Sequence, residues 1–221
     1  MTQELWTAVD NYIVETLVPS DPVLDEAVRA SDEAGLPSIQ VSPPQGRFLY
    51  VLAKVQGARR ILEIGTLGGY STIWLGRALP QDGRLVTMEI DPKHAEVARA
   101  NIDRAGLSGQ VTVLNGDAHN LLAGLERQTE VPFDLTFIDA DKASIPFYFE
   151  SALRMSRPGS LILVDNVVRD GAVIQAESTD PSVQGVRKLN EMISANGRLT
   201  ATVIQTVGVK GYDGLAIALV N

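Results

Sequence analysis

Apolar positions change their period twice along this chain. Near the start, Leu5, Val9, Tyr12, Ile13 and Leu17 recur at spacings of four, three, one and four, the stripe of an amphipathic helix. Prolines 19 and 22 end it, and Asp21 is placed to cap a second helix running to about Gly35. Residues 36–44 hold three prolines and read as an irregular loop, followed by a helix over about 45–55. From there short apolar runs alternate with helical stretches. The runs 60–64, 85–90, 111–114, 133–138 and 161–164 read as buried strands; 71–79, 92–105, 118–126 and 145–155 read as helices between them. Such alternation predicts an α/β fold with a parallel, doubly wound sheet and right-handed crossovers. The end differs again. A helix over 183–195 precedes strand candidates 199–207 and 214–220, joined by a glycine-rich turn, which predicts an antiparallel pair at the sheet edge.

Ligands in such sheets bind beyond the carboxyl ends of the strands. The first strand runs into Gly65-Thr66-Leu67-Gly68-Gly69-Tyr70-Ser71, where glycines permit close backbone approach and a helix start offers free N–H groups to an anion. Leu67 stands where a dinucleotide-binding loop needs its second glycine, so a pyrophosphate fits poorly and a carboxylate fits better. Glu89 ends the second strand, in position to accept from both ribose hydroxyls of a nucleoside. Asp117, after the third strand, serves equally as a helix cap or a ligand contact. A nucleoside that carries a carboxylate and no phosphate describes S-adenosylmethionine.

The fourth and fifth strands end in charge. Phe137-Ile138 leads into Asp139-Ala140-Asp141-Lys142, and Leu163-Val164 into Asp165-Asn166. Neighbouring parallel strands would bring Asp139 and Asp165-Asn166 together. Three oxygen donors without sulfur or imidazole suit a hard divalent cation, Mg²⁺ before Mn²⁺ or Ca²⁺. The alternative is two polar strand ends, Asp139 capping the next helix and Asp165-Asn166 forming a turn.

Composition narrows the picture. Nineteen basic against twenty-seven acidic residues give a net charge of −8, and no basic cluster with interleaved aromatics occurs, which argues against nucleic acid. With no cysteine there are no disulfides, thiol catalysis or cysteine-bound zinc. The first residues lack a signal-peptide pattern and no apolar run could span a bilayer, so the expectation is one soluble, cytoplasmic domain without membrane contact. Within it, residues 1–57 would form a helical cap and 58–221 the core.

Taken together, Leu62-Glu63-Ile64-Gly65-Thr66 with Gly69-Tyr70-Ser71, Phe137-Ile138-Asp139-Ala140-Asp141-Lys142, Pro158-Gly159 with Asp165-Asn166, and Asp213-Gly214-Leu215 resemble the cation-dependent O-methyltransferases of the catechol and caffeoyl-CoA type. The resemblance covers roughly residues 36–220 and implies a Rossmann-like methyltransferase fold using S-adenosylmethionine. It makes Asp139, Asp165 and Asn166 the metal ligands. It puts Glu63, Gly65, Thr66 and Ser71 at the methionine half of the cofactor, Glu89 at the ribose, Ala118 at the adenine, and Val41 in contact as well. Asp139 would also lie near the cofactor's amino group. Lys142 matches the family's proposed catalytic lysine, the candidate base; as a mere surface lysine it would pair with Asp141. The implied substrate is a small phenol with adjacent hydroxyls, and a homodimer is implied too. The family's aromatic three places after the lysine is Ile145 here, and its Phe-Asn pair is Leu189-Asn190. The rival readings are a non-catalytic cofactor-binding or scaffold protein, and a nucleotide-dependent oxidoreductase.

Overall fold

The computed structural model describes residues 2–128 and 131–221. Three helices come first: α1 (Gln3–Leu17), α2 (Pro22–Glu33) and α3 (Pro43–Gln56). Each starts on a polar cap. Asp21 accepts from the Val23 and Leu24 N–H groups, and Ser42 accepts from Gln45 N. Prolines at the first positions of α2 and α3 cost nothing there, because those N–H groups have no intrahelical acceptor. That is why α3 begins at Pro43, two residues earlier than its apolar period predicts.

The core then alternates β1 (Arg60–Ile64), α4 (Tyr70–Ala78), β2 (Arg84–Glu89), α5 (Pro92–Arg104), β3 (Val111–Asn115), α6 (Ala118–Gln128), β4 (Phe133–Ile138), α7 (Ile145–Arg154) and β5 (Ser156–Asp165). After a short 3₁₀ turn at Ala172–Ile174 come α8 (Pro181–Ala195), β6 (Leu199–Gly208) and β7 (Gly211–Val220). The sheet order is β3-β2-β1-β4-β5-β7-β6, with β1 to β5 parallel and β7 antiparallel to both neighbours. Strand order reverses between β1 and β4, so their carboxyl ends open the crevice in which ligands of such sheets bind.

Two cores form because successive strand side chains face opposite sides. Ile61, Leu135, Phe137 and Leu163 pack with α2 to α5 on one face; Leu62, Ile64, Ile138 and Val164 pack with α6 to α8 on the other. Every residue of β4 is buried, and Phe133, Leu135, Phe137 and Ile138 each stabilise the fold by about 1.5–3 kcal/mol through removal from water. Ile145 and Leu189, the two departures from the family pattern, are fully buried in the second core and act in packing.

Two strands are longer than their sequence signal. β5 begins at Ser156 instead of 161, through a register break opposite Phe133 and 135, where Ser160 Oγ donates to Phe133 O (2.7 Å) and accepts from Arg157 N (3.1 Å). The β6–β7 hairpin turns tightly at Val209-Lys210, so β7 starts at Gly211 and pairs over ten residues. Glycines 208 and 211, which suggested a loop, sit within the ladder as its last pair. No helix among the described residues is long and apolar enough to cross a membrane.

Candidate active site

The glycine loop is shaped by what lies beside it. Gly65 has φ +97°, and a Cβ there would fall 2.0 Å from the carbonyl oxygen of Asp139, so only glycine lets β1 and β4 end in contact. Asp139 N donates to Ile64 O (2.8 Å), tying the two strand ends. Glu89 holds the next part of the loop. Its Oε2 accepts from Leu67 N (2.8 Å) and Thr66 N (3.3 Å), and its Oε1 from Asp91 N (2.9 Å). Those bonds support Leu67 in its left-handed conformation, φ +51°. Gly69 starts α4 without a side-chain cap, leaving the helix start free to bind an anion.

Glu63 lies beneath the loop, with no exposed surface. Ser71 Oγ donates to its Oε1 (2.7 Å) and Thr72 Oγ1 donates to Oε2. Burial pushes its pKa up to about 7, against the downward pull of the Thr72, Ser71 and Thr87 hydroxyls, while Asp139's charge adds to the rise.

Above these groups lies a cavity of about 820 Å³. Val41, Gly65, Thr66, Ser71, Glu89, Ala118, Asp139, Lys142 and Asn166 all line it, so nine of the positions singled out in the sequence face one space. Asp117 lines it too and accepts from His119 N (2.7 Å), which bears out its reading as a helix cap. His94, His119 and Tyr148 are further lining residues that no motif marked, and Tyr70, within the glycine-loop motif, lines it as well; only the place of the first three in the first turns of helices following strand ends hints at them.

At the far end the charged residues gather. Ile138 pairs with Val164, so Asp139 and Asp165 leave adjacent strands side by side. Asp165 is buried; its Oδ1 accepts from Asn166 N (2.8 Å) and its Oδ2 from Gln45 Nε2 (2.6 Å). Its pKa is pushed up to about 7, first by burial and then by Asp139's charge, with Lys142, the Asn166 N–H and Gln45 pulling down. Asn166 is left-handed (φ +58°), a conformation asparagine tolerates better than most residues. The loop beyond it is clamped by Asp213, whose Oδ1 accepts from Val168, Arg169 and Gly214 N–H, each at 2.9 Å.

Lys142 pairs with Asp139: Nζ donates to Oδ1 at 2.9 Å, and its side chain is largely buried. Asp141 is occupied elsewhere. It accepts from Ser144 N (3.0 Å) and Tyr148 Oη (2.6 Å) at the start of α7, so it shapes the loop and leaves Lys142 free for Asp139.

Would these residues suit the implied cation? Among the described residues no three His, Cys, Asp or Glu side chains gather at a metal-binding arrangement, so a cation here would take its third protein donor from the Asn166 amide. Two carboxylates and an amide oxygen are hard donors, and their charge balances a dication. Asp165 is buried beside a second acid, and the charge of Lys142 offsets that only in part. The donor set fits.

Asp165 and Asn166 also border a second cavity, of about 380 Å³, and Asn166 lines both. Its walls come from distant parts of the chain: Asp10 of α1, Gln45 and Phe48 of α3, Ile204 and Val207 of β6, Tyr212 of β7. Asp10 Oδ2 accepts from Val209 N (2.7 Å), and Lys210 Nζ donates to Ser38 O (3.0 Å), tying the hairpin tip to α1 and to the loop carrying Val41. Two cavities of small-molecule size meet at one acidic, oxygen-rich point beside a lysine, the arrangement for passing a group between two ligands.

The O-methyltransferase family model matches residues 14–219. A catechol O-methyltransferase from Niastella koreensis is 53% identical over 221 residues, covering 100% of both chains. One from Mycobacterium tuberculosis is 51% identical over 213 residues, covering 96% of this chain and 95% of that one. The crystal structure of an O-methyltransferase from Bacillus cereus in complex with SAH superposes with a TM-score of 0.98 at 53% identity over 100% of both chains. The chain belongs to the O-methyltransferase family, as its strand-end motifs suggested.

Proposed function

We propose that this enzyme transfers the methyl group of S-adenosylmethionine to one oxygen of a phenol carrying two adjacent hydroxyls, with a divalent cation held by Asp139, Asp165 and Asn166. One observation carries the reading: the oxygen donors stand where the two cavities meet, with Asn166 on both. The larger cavity suits the methyl donor. Glu89 faces it as a fixed acceptor for ribose hydroxyls, Ala118 is apolar beside the adenine, and Val41 covers from the 36–42 loop. Gly65, Thr66 and Ser71 form the wall near the methionine half, over Glu63. The smaller cavity, with Phe48, Ile204 and Tyr212 in its walls, suits an aromatic ring.

When bound, the cation lowers the pKa of a coordinated hydroxyl and fixes its oxygen. Asp139 and Asp165 supply the counter-charge, and Gln45 orients Asp165. Lys142 Nζ, held at Asp139, is the proposed base: having first given a proton to solvent, it takes the phenolic proton as the neutral amine. The cavity walls hold the acceptor oxygen in line with the donor, the part of the barrier that positioning removes.

The test is methyl transfer to vicinal diols and matched monophenols, with Mg²⁺ and with chelator. Diols are expected to react only with the cation, and SAH binding to survive chelation. Equal turnover of monophenols would refute bidentate recognition; full activity in chelator would refute the cation.

The reading extends to a homodimer. β6 is an edge strand ten residues long that leaves Val203, Ile204 and Val207 exposed, near the exposed Leu5, Val9 and Tyr12 of α1. Such an edge is normally covered. Light scattering at micromolar concentration is expected to give twice the chain mass; a monomer would refute this.

A further inference from the structure

A glycine inside a helix is destabilising relative to alanine, so its presence asks for a reason. Gly185 is the fifth residue of α8, inside its second turn, buried, with ordinary helical backbone. The reason is on the facing segment. A Cβ on Gly185 would fall 2.0 Å from the carbonyl oxygen of Lys142, 3.0 Å from its carbonyl carbon and 3.1 Å from Ala143 Cα. All three are backbone atoms, so no side-chain rotation relieves the overlap; α8 or the 139–144 segment must move.

That segment is anchored at its other points. Asp139 N is tied to Ile64 O, and Asp141 takes the Ser144 N–H and the Tyr148 hydroxyl. Between these anchors the Lys142 backbone rests against the bare face of α8. Two residues further along α8, Arg187 Nη1 donates to Val173 O (2.7 Å), bracing the loop that leads away from Asn166. One helix therefore supports both halves of the charged site.

We infer that Gly185 is a positioning residue: by admitting the Lys142 carbonyl against α8, it sets the depth from which the Lys142 side chain reaches Asp139. The inference rests on the reading of Lys142 as the base. A chain displaced by the radius of one methyl group would no longer present Nζ at 2.9 Å from Asp139. Misplacement on the order of 1 Å costs about 100-fold in rate.

The test compares Gly185→Ala, Lys142→Ala, the double variant, and Gly124→Ala as a control. Gly124 lies in α6, and a Cβ there meets nothing within 4 Å. The G185A enzyme is expected to lose about 10- to 100-fold in kcat, with the acceptor KM and the SAH Kd little changed. In the K142A background G185A is expected to cause no further loss. G124A is expected to keep wild-type kcat. Should G185A not accumulate as folded protein, Val186→Ala serves instead. It removes buried volume next to Gly185 and so changes how α8 seats against the Lys142 segment without a clash; the same kcat loss, absent in the K142A background, is expected. Full activity of K142A would refute the role of Lys142 itself. A slow K142A with wild-type kcat in G185A, or further slowing in the double variant, would overturn the inference while leaving Lys142 in place.

Discussion

Replacing Glu63 by glutamine should make the protein more tolerant of alkaline pH. Glu63 has no exposed surface, and burial raises its pKa to about 7 from an unfolded value near 4.5. A raised folded pKa means that the group favours the folded state while it is protonated. That contribution is complete below the unfolded pKa and is lost as pH rises through the folded one. A difference of about 2.5 pH units corresponds to roughly 3 kcal/mol lost once pH exceeds about 8, of which about 1 kcal/mol is already gone at pH 5. Glutamine keeps the shape and cannot ionise. It exchanges one carboxylate oxygen for an amide beside the Ser71 and Thr72 hydroxyls, a fixed change of about 1 kcal/mol at every pH. The unfolding free energy of E63Q minus that of wild type should therefore rise by about 2 kcal/mol between pH 5 and pH 8.5. Urea unfolding of cofactor-free protein at the two pH values measures it. A difference that stays flat, or falls, would show that Glu63 is ionised at neutral pH and that the reasoning from burial is wrong. The same physics bears on the proposed function. A ligand ammonium near Glu63 would favour the carboxylate, so binding of S-adenosylhomocysteine at pH 6.5 should release protons, detected as a dependence of the calorimetric heat on buffer ionisation enthalpy.

Gln45→Ala removes the amide that holds Asp165 Oδ2 and should weaken Mn²⁺ binding by about 10- to 100-fold in a direct titration; unchanged affinity would remove Gln45 from the site. Asp134→Asn should cost about 1–3 kcal/mol of stability at pH 7, because Oδ2 accepts from Arg59 N (2.8 Å) and Arg60 N (3.0 Å) and Oδ1 from Arg157. Burial raises the pKa of Asp134, but the Arg59 N–H, Arg157 and the Arg60 N–H outweigh it and hold the carboxyl below its usual value. The penalty of D134N should therefore persist above pH 4 and shrink as pH falls through the folded pKa; a penalty equally large at pH 2 would contradict this. Lys210→Ala cuts the hydrogen bond from the hairpin tip to Ser38 and should raise KM for both methyl donor and acceptor, as thermal stability stays within about 1 kcal/mol; a change in one KM alone would separate the two cavities.

The parts of the site visible in the sequence share one physical property: they interrupt a buried apolar run. A strand buried on both faces, such as β4, carries its charge near its ends, Asp134 at the start where Arg157 pairs with it and Asp139 beyond the finish, so Asp139 and Lys142 stand out against Phe137-Ile138, as do Asp165-Asn166 against Leu163-Val164. Strand adjacency then follows from the topology of doubly wound sheets, and the pairing of Ile138 with Val164 supplies it. The smaller cavity offered no such contrast. It needs α1, α3 and the hairpin to meet, with Asp10 reaching Val209 across 199 positions of sequence, and nothing local to either residue encodes that contact. β6 was legible as a strand, 199–207 against the observed Leu199–Gly208, but nearly all of it is exposed and no core face marked what it meets.

The supporting residues were hidden in a different way. Gln45 and Gly185 act through an amide and the absence of a Cβ, and Asp213, present in a motif, gave no sign that its carboxylate collects backbone N–H groups. Their chemistry is ordinary, and only their placement makes them specific. Asp141 shows the converse. Beside Lys142 in sequence it looks like a member of the charged site, yet its oxygens go to Ser144 N and the Tyr148 hydroxyl. Because Asp141 is occupied there, Lys142 remains with Asp139 at the junction of the two cavities. One acid in the run holds the loop still, and the other is left facing the ligands. Neutralising Asp141 should therefore act through the geometry of the loop, and neutralising Asp139 through charge.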